Sequence, residues 1–163
     1  MLSALSVVQN QKHQENMNIP RGIRNNNPLN IRHSPSKWKG MKRTQTDPGF
    51  VQFTSMEYGY RAAFVLLRTY REKHGCDTIR KIVSRWAPEN ENHTEAYIRN
   101  VSRWTGIGAD KQIARNDANS YIMIVAAMSR VESLTPLPPG EDEEPTEEQR
   151  LVMEAIVQGY RMV

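Results

Sequence analysis

Three groups of residues in this 163-residue chain have types and spacings suited to chemistry. The first is Arg21-Gly22-Ile23-Arg24-Asn25-Asn26-Asn27-Pro28-Leu29-Asn30-Ile31-Arg32, with four asparagines and three arginines in twelve positions. Side-chain amides and guanidinium groups are dense in donors, fitted either to gripping polar ligand groups or to bonding the loop's own backbone. Both uses stay open for Asn25, Asn26, Asn27, Asn30, Arg24 and Arg32. The second is Glu132, which closes the very apolar run YIMIVAAMSRVE from Tyr121. A carboxyl there is partly desolvated and faces the negative end of a helix dipole, and both effects raise its pKa toward what a general acid needs. The plainer alternative is a last-turn glutamate facing solvent. The third is the pair Asp47 and Glu57. Asp47 opens an Asp-Pro-Gly turn, and Glu57 stands three residues after Thr54 at capping-box spacing. Of the three tryptophans, Trp38 is the one expected to be exposed, its ring free to stack on a ligand, with Trp86 and Trp104 in the core.

Several chemistries lack support. The chain has no GxxxxGK[ST], GxGxxG, HExxH or GxSxG motif. Its four histidines are scattered without helical i, i+4 partners, so neither a metal nor a cofactor is expected. The single Cys76 cannot form an internal disulfide, which fits synthesis in a reducing cytoplasm. With 38% hydrophobic and 25% charged residues the chain reads as one globular domain. No apolar run approaches the roughly 20 residues that cross a bilayer, so membrane insertion is not expected, and no signal peptide is recognisable. The formal charge of +4 conceals an asymmetry, because seven of the 18 acidic residues follow Gly140 and leave a strongly basic body. Such a body attracts polyanions, among them nucleic acid, membrane surfaces and bacterial cell-wall polymers.

Periodicity and capping signals outline the elements that must position these groups. Residues 1–19 read as a flexible arm. A loop and a short hairpin follow, the hairpin pairing Met41 to Thr46 with Phe50 to Thr54 across the Asp47-Pro48-Gly49 turn. A helix is predicted over about 56–73, a second capped by Asp77 and ending before Pro88, and a third beginning at Asn92. Trp86 to Asn92 should form the cap and turn between the second and third. A fourth helix, about 118–133, is apolar on most sides and should be central. Residues 134–140 and the acidic stretch behind them read as an exposed connection, after which a Thr146–Gln149 capping box starts a closing amphipathic helix.

The segments RGIRNNNPLNIR, Trp38-Lys39-Gly40, DPGFVQF with SMEYGYRAAFVLLRTY, and TIRKIVSRWAPENENHTEAYI together resemble phage and prophage virion-associated proteins with an RGIRNNNPxNIR signature. The resemblance covers about Arg21 to Glu132. Where the common pattern has glycine after the loop proline, this chain has Leu29. A more distant similarity links the order of Asn26 to Ile31, Trp38 to Gly40 and Phe50 to Tyr70 to lysozyme-like muramidases and glucosaminidases. In those enzymes the catalytic Glu ends an apolar helix ahead of this segment. Here Tyr121 to Glu132 looks like that helix placed late in the chain, as in a circular permutation, although the glycine of the resembling H-E-N-G ending is absent. The resemblance makes Glu132 the candidate acid, with Glu57 second. Arg24 and Arg32 suit either contacts to anionic wall polymer or a solvated loop.

These readings converge on a mainly α (α+β), lysozyme-like helical domain with a small β-hairpin. It divides into an arm (1–19), a core domain (20–134), an acidic Pro-rich linker (135–145) and a C-terminal helix (146–163). The expected function is a virion-associated, peptidoglycan-degrading enzyme of muramidase or lytic transglycosylase type. Its catalytic candidates are Glu132 and Glu57, and its substrate-binding candidates Asn25, Asn26, Asn27, Asn30, Arg24, Arg32 and Trp38. Its partners would be glycan strands and other virion proteins. The alternative is a non-catalytic virion structural or DNA-binding protein of phage origin.

Overall fold

The structure, a computed structural model, describes residues 18–88 and 93–163. Most of the expected arm and the end of the Trp86–Asn92 turn, including the Asn92 helix start, lie outside the described residues. The fold is mainly helical, with α1 Arg21–Arg24, α2 Met56–His74, α3 Ile79–Trp86, α4 Thr94–Thr105, α5 Ala118–Ser133 and α6 Glu147–Arg161.

Extended structure is nearly absent: the described residues hold two isolated antiparallel bridges, Arg32 with Phe50 and Met41 with Phe53. The expected hairpin is therefore not formed as a regular pair of strands. Residues 50–54 instead bond to both sides, Val51 N donating to Ile31 O at 3.0 Å and Lys42 N to Gln52 O at 2.9 Å. The physical reason lies at the turn, where the Asp47 carboxylate accepts from the Gly49 and Phe50 amides and takes over bonds a facing strand would make.

α5 is the central helix, as its all-round apolarity predicts, burying Tyr121, Ile124, Val125, Ala126, Ala127, Met128 and Ser129. α2 turns Tyr60, Phe64 and Leu67 inward and ends at Gly75 with φ 64°. Its start departs from expectation: Ser55, not Thr54, is the N-cap residue and makes no side-chain cap bond, and Thr54 belongs to the bridged segment, its amide donating to Gly40 O at 2.8 Å. Glu57 thus has no capping-box partner. Thr78, not Asp77, caps α3 by accepting from Lys81 N, while the Asp77 carboxylate takes the Lys81 ammonium at 3.0 Å. The Thr146–Gln149 capping box of α6 is complete.

α6 runs along α2 in the most extensive helix pairing of the fold. Gly159 permits this, since a Cβ there would stand 2.8 Å from Arg61 N and Tyr60 Cβ. The connection between α5 and α6 is not simply exposed. Thr135 is buried and Pro136 to Pro139 half-buried. The Thr135 hydroxyl shares a hydrogen bond of 2.6 Å with Ser129 Oγ, which also pairs with the Tyr60 hydroxyl at 2.8 Å. A hydroxyl chain inside the core needs its last partner buried with it.

Candidate functional site

The asparagine-rich segment divides in two. Asn25, Asn26 and Asn27 are spent on architecture. Asn27 is fully buried, donates to the Ile31 and Val51 carbonyls at 2.9 Å each and accepts from the Ile31 amide at 2.9 Å. Asn25 donates to Asp47 at 2.9 Å and accepts from Gln52 at 3.1 Å. Asn26 donates to Phe53 O at 3.2 Å from a left-handed backbone, φ 50°, a conformation asparagine tolerates better than most residues. Leu29, at the position where the resembling pattern has glycine, is a wholly buried core residue. Asn30, φ 52°, is the second left-handed residue.

Asp47 is the hub of this loop. Arg21 grips it with two bonds, Nε at 2.7 Å and Nη2 at 2.5 Å, and the carboxylate also accepts from Asn25, Gly49 and Phe50. The Arg21 hydrogen bonds, then those of Asn25 and the two amides, hold it well below the usual carboxylate range. It is committed to holding the loop.

Asn30 points the other way. Its amide nitrogen donates to the Glu132 carbonyl at 3.1 Å, and Ser133 Oγ donates to Pro28 O at 2.7 Å. These two bonds tie the end of α5 to the loop across more than a hundred residues of sequence. Gly22 lets the two come together, because a Cβ there would collide with Ser133 Oγ and lie 2.8 Å from Asn27 O. α5 ends at Leu134 in the left-handed region, φ 59° and ψ 26°. This is where the resembling H-E-N-G ending has its glycine, so the turn persists without it.

The junction brings Glu132 into a cleft of about 450 Å³. Asn30, Arg32 and Trp38 line it from the loop, and Leu66, Tyr70, Arg85 and Trp86 from α2 and α3. The Glu132 carboxyl is raised from 4.5 to about 7, chiefly by desolvation and against the opposing pull of Asn30, Tyr97 and Arg32. Tyr97, from α4, is 6% exposed and its hydroxyl makes no hydrogen bond of normal geometry, yet it lies near enough to draw the carboxyl's pKa down. Burial and the Glu132 charge push the phenol well above its own ordinary range. Among the described residues the buried side-chain atoms without a partner are Asn30 Oδ1, Trp38 Nε1 and the Tyr97 hydroxyl. All three belong to residues that line the cleft or neighbour Glu132.

Of the sequence candidates, Glu132, Asn30, Arg32 and Trp38 meet in this cleft, while Asn25, Asn26, Asn27 and Arg24 do not line it. Trp38 is half-buried with its indole nitrogen enclosed, and Trp86 and Trp104 are half-buried too. Glu57 lies elsewhere, in a groove between α2 and α6 with Pro139, Pro145 and Met153. Sequence reasoning missed Tyr70 and Arg85 as residues of the cleft and Tyr97 as a neighbour of the acid. Arg85 stands beside Trp86, and Tyr97 in the TxxYI match, so the resembling segments carried a signal. No group of three His, Cys, Asp or Glu among the described residues could hold a metal ion, and no described helix is long and apolar enough to cross a membrane.

No family model matches the chain. Over 116 residues it is 41% identical to Protein P5 of Pseudoalteromonas phage PM2, an alignment covering 69% of this chain and 71% of that protein. At that identity and coverage, this chain belongs to the same family as Protein P5 of phage PM2.

Proposed function

We propose that the protein is a virion-associated, peptidoglycan-degrading enzyme of the muramidase or lytic transglycosylase type, built on a permuted lysozyme-like arrangement, with Glu132 as its acid. One observation carries this reading: a carboxyl raised to about 7 stands in a cleft walled by aromatic rings and amides. At neutral pH about half of such a group is protonated, the condition under which a carboxylic acid can donate efficiently.

Glu132 donates its proton to the glycosidic oxygen as the C1–O bond breaks and the leaving sugar departs as an alcohol. The substrate's own acetamido carbonyl stabilises the developing positive charge at C1, so a second carboxylate is not required. Water, or a hydroxyl of the same sugar, then attacks C1 and returns its proton to the Glu132 carboxylate. Trp38 offers a ring face for a sugar, and Asn30 and Arg32 polar contacts beside the acid. Asn25, Asn26 and Asn27 support the wall from behind.

Zymography on purified peptidoglycan tests the reading. The parent protein should clear the gel, Glu132→Gln should lose at least about 100-fold of the activity, and Glu57→Gln should keep it. An inactive parent protein favours a non-catalytic phage protein that binds DNA or neighbouring virion subunits.

A further inference from the structure

The segment that supplies Asn30, Arg32 and Trp38 to the cleft carries a strong excess of positive charge. Residues 21–55 contain seven lysines and arginines against one carboxylate, Asp47, which is already ion-paired with Arg21. Lys37, Lys39, Lys42 and Arg43 are all exposed; Lys37 and Lys39 flank Trp38, which lines the cleft, and Lys42 and Arg43 follow on the same loop. Their loop is pinned by bonds from Met41 N to Trp38 O (3.2 Å), Lys42 N to Gln52 O (2.9 Å) and Thr54 N to Gly40 O (2.8 Å). On the helical side Arg85 holds its guanidinium 5.3 Å over the Tyr70 ring. The acidic surplus lies elsewhere, with six carboxylates and no basic residue in 141–148, ahead of and within the first turn of α6.

We propose that the basic loop 37–43 is a docking surface for the carboxylate-bearing side branches of the glycan strand lying in the cleft. The site then takes acidic peptidoglycan in preference to neutral chitin-type polymers. This rests on the peptidoglycan reading above. The sugar backbone of such a strand is uncharged and its carboxylates hang from it at intervals. Cations that read them must therefore stand beside the groove, within about a Debye length of 8–10 Å. Lysines on an exposed loop suit this, since their flexible point charges follow branches of variable conformation.

The test is co-sedimentation of the uncut complex, using full-length Glu132→Gln protein with purified sacculi or with insoluble chitin over a salt series. Sacculus binding should weaken steeply with salt. Adding Lys37→Gln, Lys39→Gln, Lys42→Gln and Arg43→Gln should cost at least tenfold in sacculus affinity and flatten the salt slope, with chitin binding and melting temperature unchanged. The single substitution Arg85→Gln should lower sacculus affinity less. Unchanged sacculus binding by the fourfold variant overturns the proposal, as does an equal loss toward chitin. Tighter binding to duplex DNA than to sacculi at matched salt also overturns it and assigns the surface to nucleic acid. Because binding is read without turnover, an inactive parent protein whose sacculus binding still depends on these four residues rejects the enzyme reading and leaves the docking surface standing.

Discussion

Asp47 and Glu132 are carboxylates on two sides of one loop, and their surroundings drive them in opposite directions. Asp47 accepts from an arginine, an asparagine and two backbone amides, and is held ionised far below its normal range. Glu132 sits at the end of an apolar helix where desolvation outweighs its few polar neighbours, and it rises to about 7. The same asparagine-rich segment serves both, Asn25 bonding to Asp47 and Asn30 to the backbone at Glu132. A carboxylate saturated with donors is a structural anchor, whereas one deprived of them near neutrality is available for proton transfer.

The sharpest way to break the anchoring half is Asn27→Ala. It removes three buried hydrogen bonds and leaves the Val51 carbonyl and the Ile31 amide unsatisfied, while the Ile31 carbonyl keeps the Val51 amide. Denaturant unfolding should show a loss of about 3–4 kcal/mol. Asp47→Asn keeps the shape but not the charge, and should cost about 2 kcal/mol at pH 7 after allowance for solvent screening. Because the folded-state pKa of Asp47 is depressed, its stabilisation is present above about pH 4 and fades as pH falls. The gap between Asp47→Asn and the parent should therefore close in acid.

Glu132 must behave in the opposite sense. Its folded pKa is raised, so ionisation costs stability as pH climbs from about 4.5 to about 7. Glu132→Gln should match the parent at pH 4 and exceed it by about 1–2 kcal/mol at pH 8, a figure reduced for partial solvent access. The smallest effect is expected at Leu134, 68% exposed and left-handed. Leu134→Gly relieves backbone strain at little loss of packing and should stabilise by at most about 1 kcal/mol, since glycine's freedom in the unfolded chain offsets part of the gain. Thermal melting measures it.

Periodicity and capping made the helices legible. α5 follows from Tyr121 to Glu132 being apolar nearly all round, and α6 from the Thr146–Gln149 box, because both depend on residues within a few positions of each other. The loop between α1 and α2 was less so. Its turn sequence suggested a hairpin, but bonds from Asp47 and Asn27 to partners 26 and 24 residues away decide its path. In the cleft, Glu132 and Asn30 were named from local chemistry and resemblance. Arg85, which lines the cleft, and Tyr97, which approaches the acid, were not, since their places depend on how α3 and α4 pack.

The most direct measurement is carboxyl-detected NMR titration of Glu132, assigned by its loss in Glu132→Gln. The account predicts a midpoint near pH 7. A midpoint near 4.5 would mean that the cleft does not desolvate this carboxyl, and would remove the basis for its role as an acid.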